Sequence, residues 1–252
     1  MGRQLTVIKV GGAGLTDTSF LSTLVHNTES IIERGDAALI VHGGGPDIAS
    51  LHDRLGLGFE VVDGLRVTNG DSIDLVVMVL CGLLNKRIVA RLQRAGLRAV
   101  GASGIDGGIL RAPYLDRKRF GEVGDTPEVQ PGFLFRLIDL DYVPVVAPVA
   151  IGPNGTPVNV NADVAAQAIA IALDATTLDF VTSEPGVLRE NQVIRSLTPD
   201  DTETLIQDGI VRGGMIPKIR AARVALESGV RTVRVGNLET LASGTATEAV
   251  LI

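Results

Sequence analysis

Two lysines stand beside glycine-rich backbone at widely separated points of this chain, and an aspartate lies between them in an asparagine-bearing segment. Lys9 opens Lys9-Val10-Gly11-Gly12, Lys218 closes Gly213-Gly214-Met215-Ile216-Pro217-Lys218, and Asp163 ends Asn159-Val160-Asn161-Ala162-Asp163. Lysine ammonium groups neutralise developing negative charge, and glycine lets backbone N–H groups come close to an anion. A carboxylate between two lysines keeps both of them charged and oriented. These are the parts that a phosphoryl-transfer site needs, and together they point to a small-molecule kinase. A place in the first turn of a helix is the ordinary structural use of Asp163.

The glycine signals are not those of the common nucleotide folds. The chain has no G-x-x-x-x-G-K-[ST], and neither Gly11-Gly12-Ala13-Gly14 nor Gly43-Gly44-Gly45 fits G-x-G-x-x-G. Each cluster instead follows an apolar run and precedes a helical pattern, a geometry that aims N–H groups and a positive helix end at an anion. Any one of them alone would be only a tight turn. His42-Gly43-Gly44-Gly45-Pro46 stands out because consecutive glycines lose much chain entropy and Pro46 suits a first helical turn. Arg66, in Asp63-Gly64-Leu65-Arg66-Val67-Thr68, carries the planar fork that grips a carboxylate through two parallel hydrogen bonds. Asn159 and Asn161 present amides that both donate to and accept from a polar acceptor.

Positioning these groups falls to an alternation of short apolar runs and longer helical patterns. Strands are expected at 5–10, 37–42, 98–101, 143–147, 178–182, 231–235 and 249–252, and helices at 19–34, 71–95, 162–173, 199–208 and 217–227. That order predicts an α/β fold, a three-layer αβα sandwich around a mostly parallel sheet, with ligands at the carboxyl ends of the strands. Residues 110–131, richer in charge, Gly and Pro, resemble a hairpin or flap. A single domain with a soft division near Asn154 is expected, with an acceptor and dimerisation side over 1–153 and a nucleotide side over 154–252.

Composition removes several rival classes. With 252 residues, 45% of them hydrophobic, the chain can bury a large core. Its 23 basic and 29 acidic residues leave a net charge of −6 and no basic run, so nucleic acid is not an expected partner. The lone Cys81 excludes an internal disulfide, and three scattered histidines offer no Cys/His metal cluster. No apolar stretch suggests a signal peptide or membrane span, so a soluble cytoplasmic protein is expected.

Six motifs in order, Lys9-Val-Gly-Gly, His42-Gly-Gly-Gly, Gly64-Leu-Arg-Val-Thr68, Gly82-Leu-Leu-Asn-Lys86, Asn159-Val-Asn-Ala-Asp163 and Gly213-Gly-Met-Ile-Pro-Lys218, resemble the amino acid kinase superfamily. Within it the chain is similar to the N-acetylglutamate kinases, over essentially its whole length. The resemblance implies ATP with Mg²⁺ and transfer of the γ-phosphoryl group to the side-chain carboxylate of N-acetyl-L-glutamate, in arginine biosynthesis. It implies Lys9 and Lys218 as transition-state lysines oriented by Asp163. Gly11, Gly12, Gly44 and Gly45 would surround the phosphates and acceptor, Arg66, Asn159 and Asn161 would hold the acceptor, and no protein side chain would bind the metal. Thr182, Ser183, Pro185, Gly186 and Val187, with Ile210, Val211 and Arg212, would line the nucleotide site. Where many relatives read Leu-Thr-Asp-Val-Pro-Gly-Val, this chain reads Val181-Thr182-Ser183-Glu184-Pro185-Gly186-Val187. Only four residues precede the first expected strand, so the N-terminal helix that joins arginine-inhibited relatives into hexamers is not expected. An arginine-insensitive homodimer is, with the apolar face of helix 71–95 (Val76, Val77, Val79, Leu80) as its surface or, more ordinarily, as core. Two other readings stay open: a kinase for N-acetyl-aminoadipate or carrier-protein-bound aminoadipate in lysine biosynthesis, and a non-catalytic amino-acid sensor of the same fold.

Overall fold

The computed structural model describes residues 3–62 and 65–250. Its centre is an eight-stranded sheet in the spatial order Ser196–Leu197, Thr247–Ala249, Thr232–Gly236, Thr177–Val181, Leu5–Val10, Ala37–His42, Val143–Ala147, Ala99–Ser103. Neighbouring strands run parallel except Thr247–Ala249, which lies antiparallel to Thr232–Gly236. Ala37–His42 and Val143–Ala147 are buried at every position, as strands covered on both faces must be. Alternation then sorts the core into two layers. Leu5, Val7, Leu39 and Val41 face one way and meet Ala165, Ile169, Ala222 and Ala225 of the helices Ala162–Ala172 and Met215–Glu227. Ile8, Val10, Ala38 and Ile40 face the other way, in one cluster with Leu21 and Leu24 of Thr18–Glu33 and Leu238 of Leu238–Ser243. Both clusters follow the faces of the sheet and join residues from either side of Asn154. This is the expected αβα sandwich.

Several elements depart from expectation. The second expected helix pattern, 71–95, is a run from Gly70–Val77 through a π-helical segment, Met78–Leu84, into Asn85–Arg94. Its Val76, Val79 and Leu80 are buried in the core, so among the residues of this helix it is Met78 and Leu83 that present large apolar side chains to solvent. Residues 110–131 do not form a loose flap. Leu110–Arg111, Val123–Gly124 and Glu128–Val129 join Val149–Ile151 and Pro157–Val160 in a second, five-stranded sheet, with Leu110, Phe120 and Val123 buried. The helix Gly45–Arg54 follows the glycine run as expected, with Pro46 in its first turn, while Gly132–Asp139 and Leu238–Ser243 were not expected, because each is too brief to show a clear apolar stripe. The last strand spans Thr247–Ala249 rather than 249–252, and positions 251–252, like 63–64, lie outside the described residues. Among the described residues no helix is long and apolar enough to cross a membrane.

Two polar features inside this core have measurable consequences. Asp179, opposite Arg234 across two paired strands, is buried; Arg234 donates from Nε and Nη2 to its two oxygens at 2.7 Å each, and from Nη1 to the Leu241 carbonyl at 3.1 Å. Burial pushes the Asp179 carboxyl up in pKa, and Arg234 opposes that. His42, at the end of its strand, has no exposed surface, and burial lowers its pKa to about 4, with a bond to the Gly43 carbonyl opposing and Lys86 assisting.

Removing one partner of a buried pair strands the other charge. Arg234→Met should therefore lower unfolding free energy by roughly 3 kcal/mol in urea titration, and Asp179→Leu added to it should restore most of the loss. For His42, the unfolded imidazole protonates near 6.5 and the folded one near 4, so between those values the unfolded state binds more protons. Its contribution is full above pH 6.5 and is lost as pH falls toward 4, by at most about 3 kcal/mol. His42→Phe should flatten that acid limb in denaturation curves recorded across the same pH range.

Candidate active site

A cleft of about 990 Å³ opens over the carboxyl ends of the central strands. Leu5–Val10 has Ala37–His42 on one side and Thr177–Val181 on the other, so the connections leave it in opposite directions, which is where open α/β sheets bind ligands. Five helices begin there, since Asp17, Gly44, Asn161, Gly214 and Asn237 each precede a first turn and all line the cleft. Asp17, Asn161 and Asn237 cap their helices with side-chain oxygens. Gly44 and Gly214 have no side-chain cap; the Met215 and Ile216 N–H groups turn back onto the Arg212 and Gly213 carbonyls, so it is the helix behind Gly44 that leaves leading N–H groups to the cleft.

The three charged residues meet here. Lys9 lies in register between Val41 and Phe180, one residue from the end of the central strand. Asp163 sits in the first turn of Ala162–Ala172, directly above it, because Asn161 ends the preceding strand and starts the helix. Lys9 Nζ lies 2.8 Å from Asp163 Oδ1, and Lys218 Nζ lies 3.3 Å from Oδ2 and donates to the Gly214 carbonyl at 3.1 Å. The side chains of Lys9 and Asp163 are only 5% and 6% exposed, while that of Lys218 is 13% exposed and reaches the cleft from the far wall. One carboxylate thus bridges two ammonium groups, leaving a net positive charge at the floor of the cleft. Burial pulls the Lys9 pKa below its usual 10.5; Asp163 opposes this and Lys218 adds to it. An arriving anion would reverse that pull.

The glycines divide into two kinds. A Cβ on Gly12 would lie 2.7 Å from Gly44 Cα, and one on Gly44 would lie 2.4 Å from Leu84 Cδ1 and 2.6 Å from Leu80 Cδ2, so the first loop rests directly on the second. Gly11 and Gly45 have open space where a side chain would be, on the cleft wall. Arg66 donates from Nη2 to the Gly45 carbonyl at 3.1 Å, and its guanidinium stacks 3.8 Å above the Phe59 ring. Its Nη1 is buried without a hydrogen-bond partner among the described residues. Asn159 donates from Nδ2 to Thr68 Oγ1 at 3.4 Å and lines the same end of the cleft as Val123 and Val160. A carboxylate or other polar acceptor is what the unpartnered Nη1 and the amide suit.

The remaining residues singled out in the sequence fall in different places. Asn161 lines the cleft, but its Oδ1 accepts from the Asp163 and Val164 N–H groups as a helix cap. Thr182 and Ser183 lie on the cleft wall. Pro185 accepts from Thr240 Oγ1 through its carbonyl, Gly186 is packed against Thr247, and Val187 and Val211 are in the core with Ile210 against it. Arg212 folds back onto the Gly209 carbonyl. Among the lining residues missed in the sequence are Asp17, Ser19, Thr23, Asn237, Leu238 and Glu239. An Asp-x-Ser helix start after a glycine turn, and an Asn directly after an apolar strand, were the signals that could have found them.

Comparison with known proteins agrees with this arrangement. Residues 4–237 match the Amino acid kinase family. The acetylglutamate kinase of Chloroflexus aurantiacus is 45% identical over 243 residues, covering 95% of this chain and 94% of that protein. The acetylglutamate kinase of Methanopyrus kandleri is 43% identical over 253 residues, covering 96% and 99%. The crystal structure of smu.665 from Streptococcus mutans UA159 superposes with a TM-score of 0.87 at 30% identity, over 98% of each chain. Matched over nearly its full length, the chain belongs to the amino acid kinase family.

Proposed function

We propose that this protein is an acetylglutamate kinase, which uses ATP to phosphorylate the side-chain carboxylate of N-acetyl-L-glutamate in arginine biosynthesis. The observation that carries the reading is the Lys9–Asp163–Lys218 bridge at the floor of a cleft edged by the uncapped helix start at Gly44. The relatives named acetylglutamate kinase, at 40–45% identity over most of the chain, support the acceptor and disfavour an aminoadipate substrate or a sensor.

The acceptor carboxylate has an ordinary pKa of about 4.3 and is ionised at neutral pH, so no general base is required. Arg66 Nη1 and Asn159 hold the acceptor, with Gly44 and Gly45 backbone beside it, and Asn161 contributes by fixing Asp163. The acceptor oxygen forms a bond to the γ-phosphorus as the bond to the β–γ bridging oxygen breaks, giving an acyl phosphate and ADP. Lys9 and Lys218 neutralise the charge on the transferring group, and Asp163 holds them in place. Gly11 and Gly12 approach the phosphates, while Thr182 and Ser183 face the nucleotide. Pro185 to Val187 and Ile210 to Arg212 shape the wall behind it. Mg²⁺ suits this site only on the phosphates of ATP, where it adds to charge neutralisation: the Asp163 carboxylate is committed to two lysines, and no cluster of three His, Cys, Asp or Glu exists among the described residues. Residues 1–153 would carry the acceptor and 154–252 most of the nucleotide wall.

The cytoplasmic assignment is supported by the lone cysteine, Cys81, which leaves no internal disulfide to form. Exposed Met78 and Leu83 support a homodimer through the long helix.

The test is a coupled ADP-release assay with Mg-ATP, comparing N-acetylglutamate, N-acetyl-α-aminoadipate and glutamate, with hydroxylamine to trap acyl phosphate. Preference for N-acetylglutamate with hydroxamate formed is expected. Lys9→Ala and Lys218→Ala should each lower kcat by roughly 10²–10³-fold without changing the circular dichroism spectrum. Turnover unchanged in either variant would remove this mechanism.

A further inference from the structure

Directly behind the glycine loop lies a buried polar chain that the phosphoryl-transfer scheme does not use. Asn85, with no exposed surface, begins the last segment of the long helix and reaches into the carboxyl ends of three strands. Its Nδ2 donates to the Val145 carbonyl at 2.8 Å and lies 3.3 Å from both the Ala102 carbonyl and His42 Nε2. Its Oδ1 accepts from Lys86 Nζ at 3.0 Å. Space has been cut for this amide, since a Cβ on Gly101 would lie 1.9 Å from Asn85 Oδ1.

The Asn85 donor dictates what the imidazole does. A nitrogen that accepts from an amide carries no proton, so neutral His42 carries its hydrogen on Nδ1 and donates it to the Gly43 carbonyl, 3.1 Å away. The same Gly43 residue is held from its N–H by the Val10 carbonyl at 2.9 Å. In a trans peptide the carbonyl and the following N–H point in opposite directions. Fixing the Gly43 carbonyl on His42 therefore fixes the direction of the Gly44 N–H, which has no acceptor among the described residues and belongs to a residue lining the cleft.

We propose that Asn85 and His42 are positioning residues that aim the Gly44 N–H at the transferring phosphoryl group, acting through the histidine tautomer. This rests on the phosphoryl-transfer reading, but it makes a statement about the free protein as well. At neutral pH, ¹⁵N spectra of the unmodified full chain should show His42 protonated on Nδ1 and not on Nε2; the opposite tautomer overturns the proposal. That measurement needs no turnover, so it stands even if no carboxylate proves to be a substrate.

Kinetics supply the second arm. Asn85→Leu and His42→Phe should each lower kcat about tenfold, less than the 10²–10³-fold that follows loss of an oxyanion donor outright. KM for ATP and for N-acetylglutamate should stay within about twofold, because a donor aimed at the moving group acts on the transition state. The double variant should lose no more than the worse single, as expected for two links of one chain. Lowered melting temperature with unchanged kcat, a loss confined to KM, or losses that multiply in the double variant would each overturn it. Should Asn85→Leu fail to fold, His42→Phe and the tautomer carry the test.

Discussion

Everything in the cleft depends on one carboxylate holding two ammonium groups. Lys9 is buried in the sheet, and a lone lysine there would give up its proton more readily. Asp163 opposes that tendency and at the same time reaches across to Lys218. Two cations and one anion leave the site a single net positive charge, enough to favour a polyanion without the repulsion that two bare lysines would feel. The bridge also joins elements far apart in the chain, namely the first strand, the start of Ala162–Ala172 and the start of Met215–Glu227.

That bridge could not form without the parallel sheet. Strands running the same way place Val10, His42, Ala147, Val181 and Gly236 at one edge, and the chain must leave each of them through a turn on that side. Three of the five helices that open on the cleft follow such a strand end directly or after a short loop, so helix starts gather there as a result of topology. Side-chain caps on three of them and backbone turns at the Gly214 start satisfy those helices internally, and the bare glycine start at Gly44 is left for a ligand.

Much of this was legible in the sequence where one physical rule dominated. Leu5–Val10, Ala37–His42 and Val143–Ala147 have the bounds expected from their largely apolar runs, because strands buried on both faces tolerate few polar residues. Lys9 and Lys218 could be grouped because charge beside glycine has few structural uses, and Asp163 because a carboxylate between two lysines keeps both charged. Less legible were features set by tertiary contact. The two-residue strands of the second sheet carry no period of their own, and the π-helical segment Met78–Leu84 reads as ordinary helix. The cap role of Asn161, the seat of Asn85 in the space left by Gly101, and the burial of Val187 and Val211 depend on partners tens of residues away.

The stack of Gly12 on Gly44 on Leu80 and Leu84 sets how the cleft can deform. With no side chain between the two loops, nothing compressible separates them, and both take their height from the leucines of the π-helical segment. A displacement of that segment would carry both loops as one body, preserving the gap between the groups that face donor and acceptor while shifting it relative to Lys218 on the opposite wall. The spacing within one half of the reaction centre is thus protected by contact. The spacing to Lys218 is carried by the Asp163 bridge together with the packing of Ala162–Ala172 on Met215–Glu227.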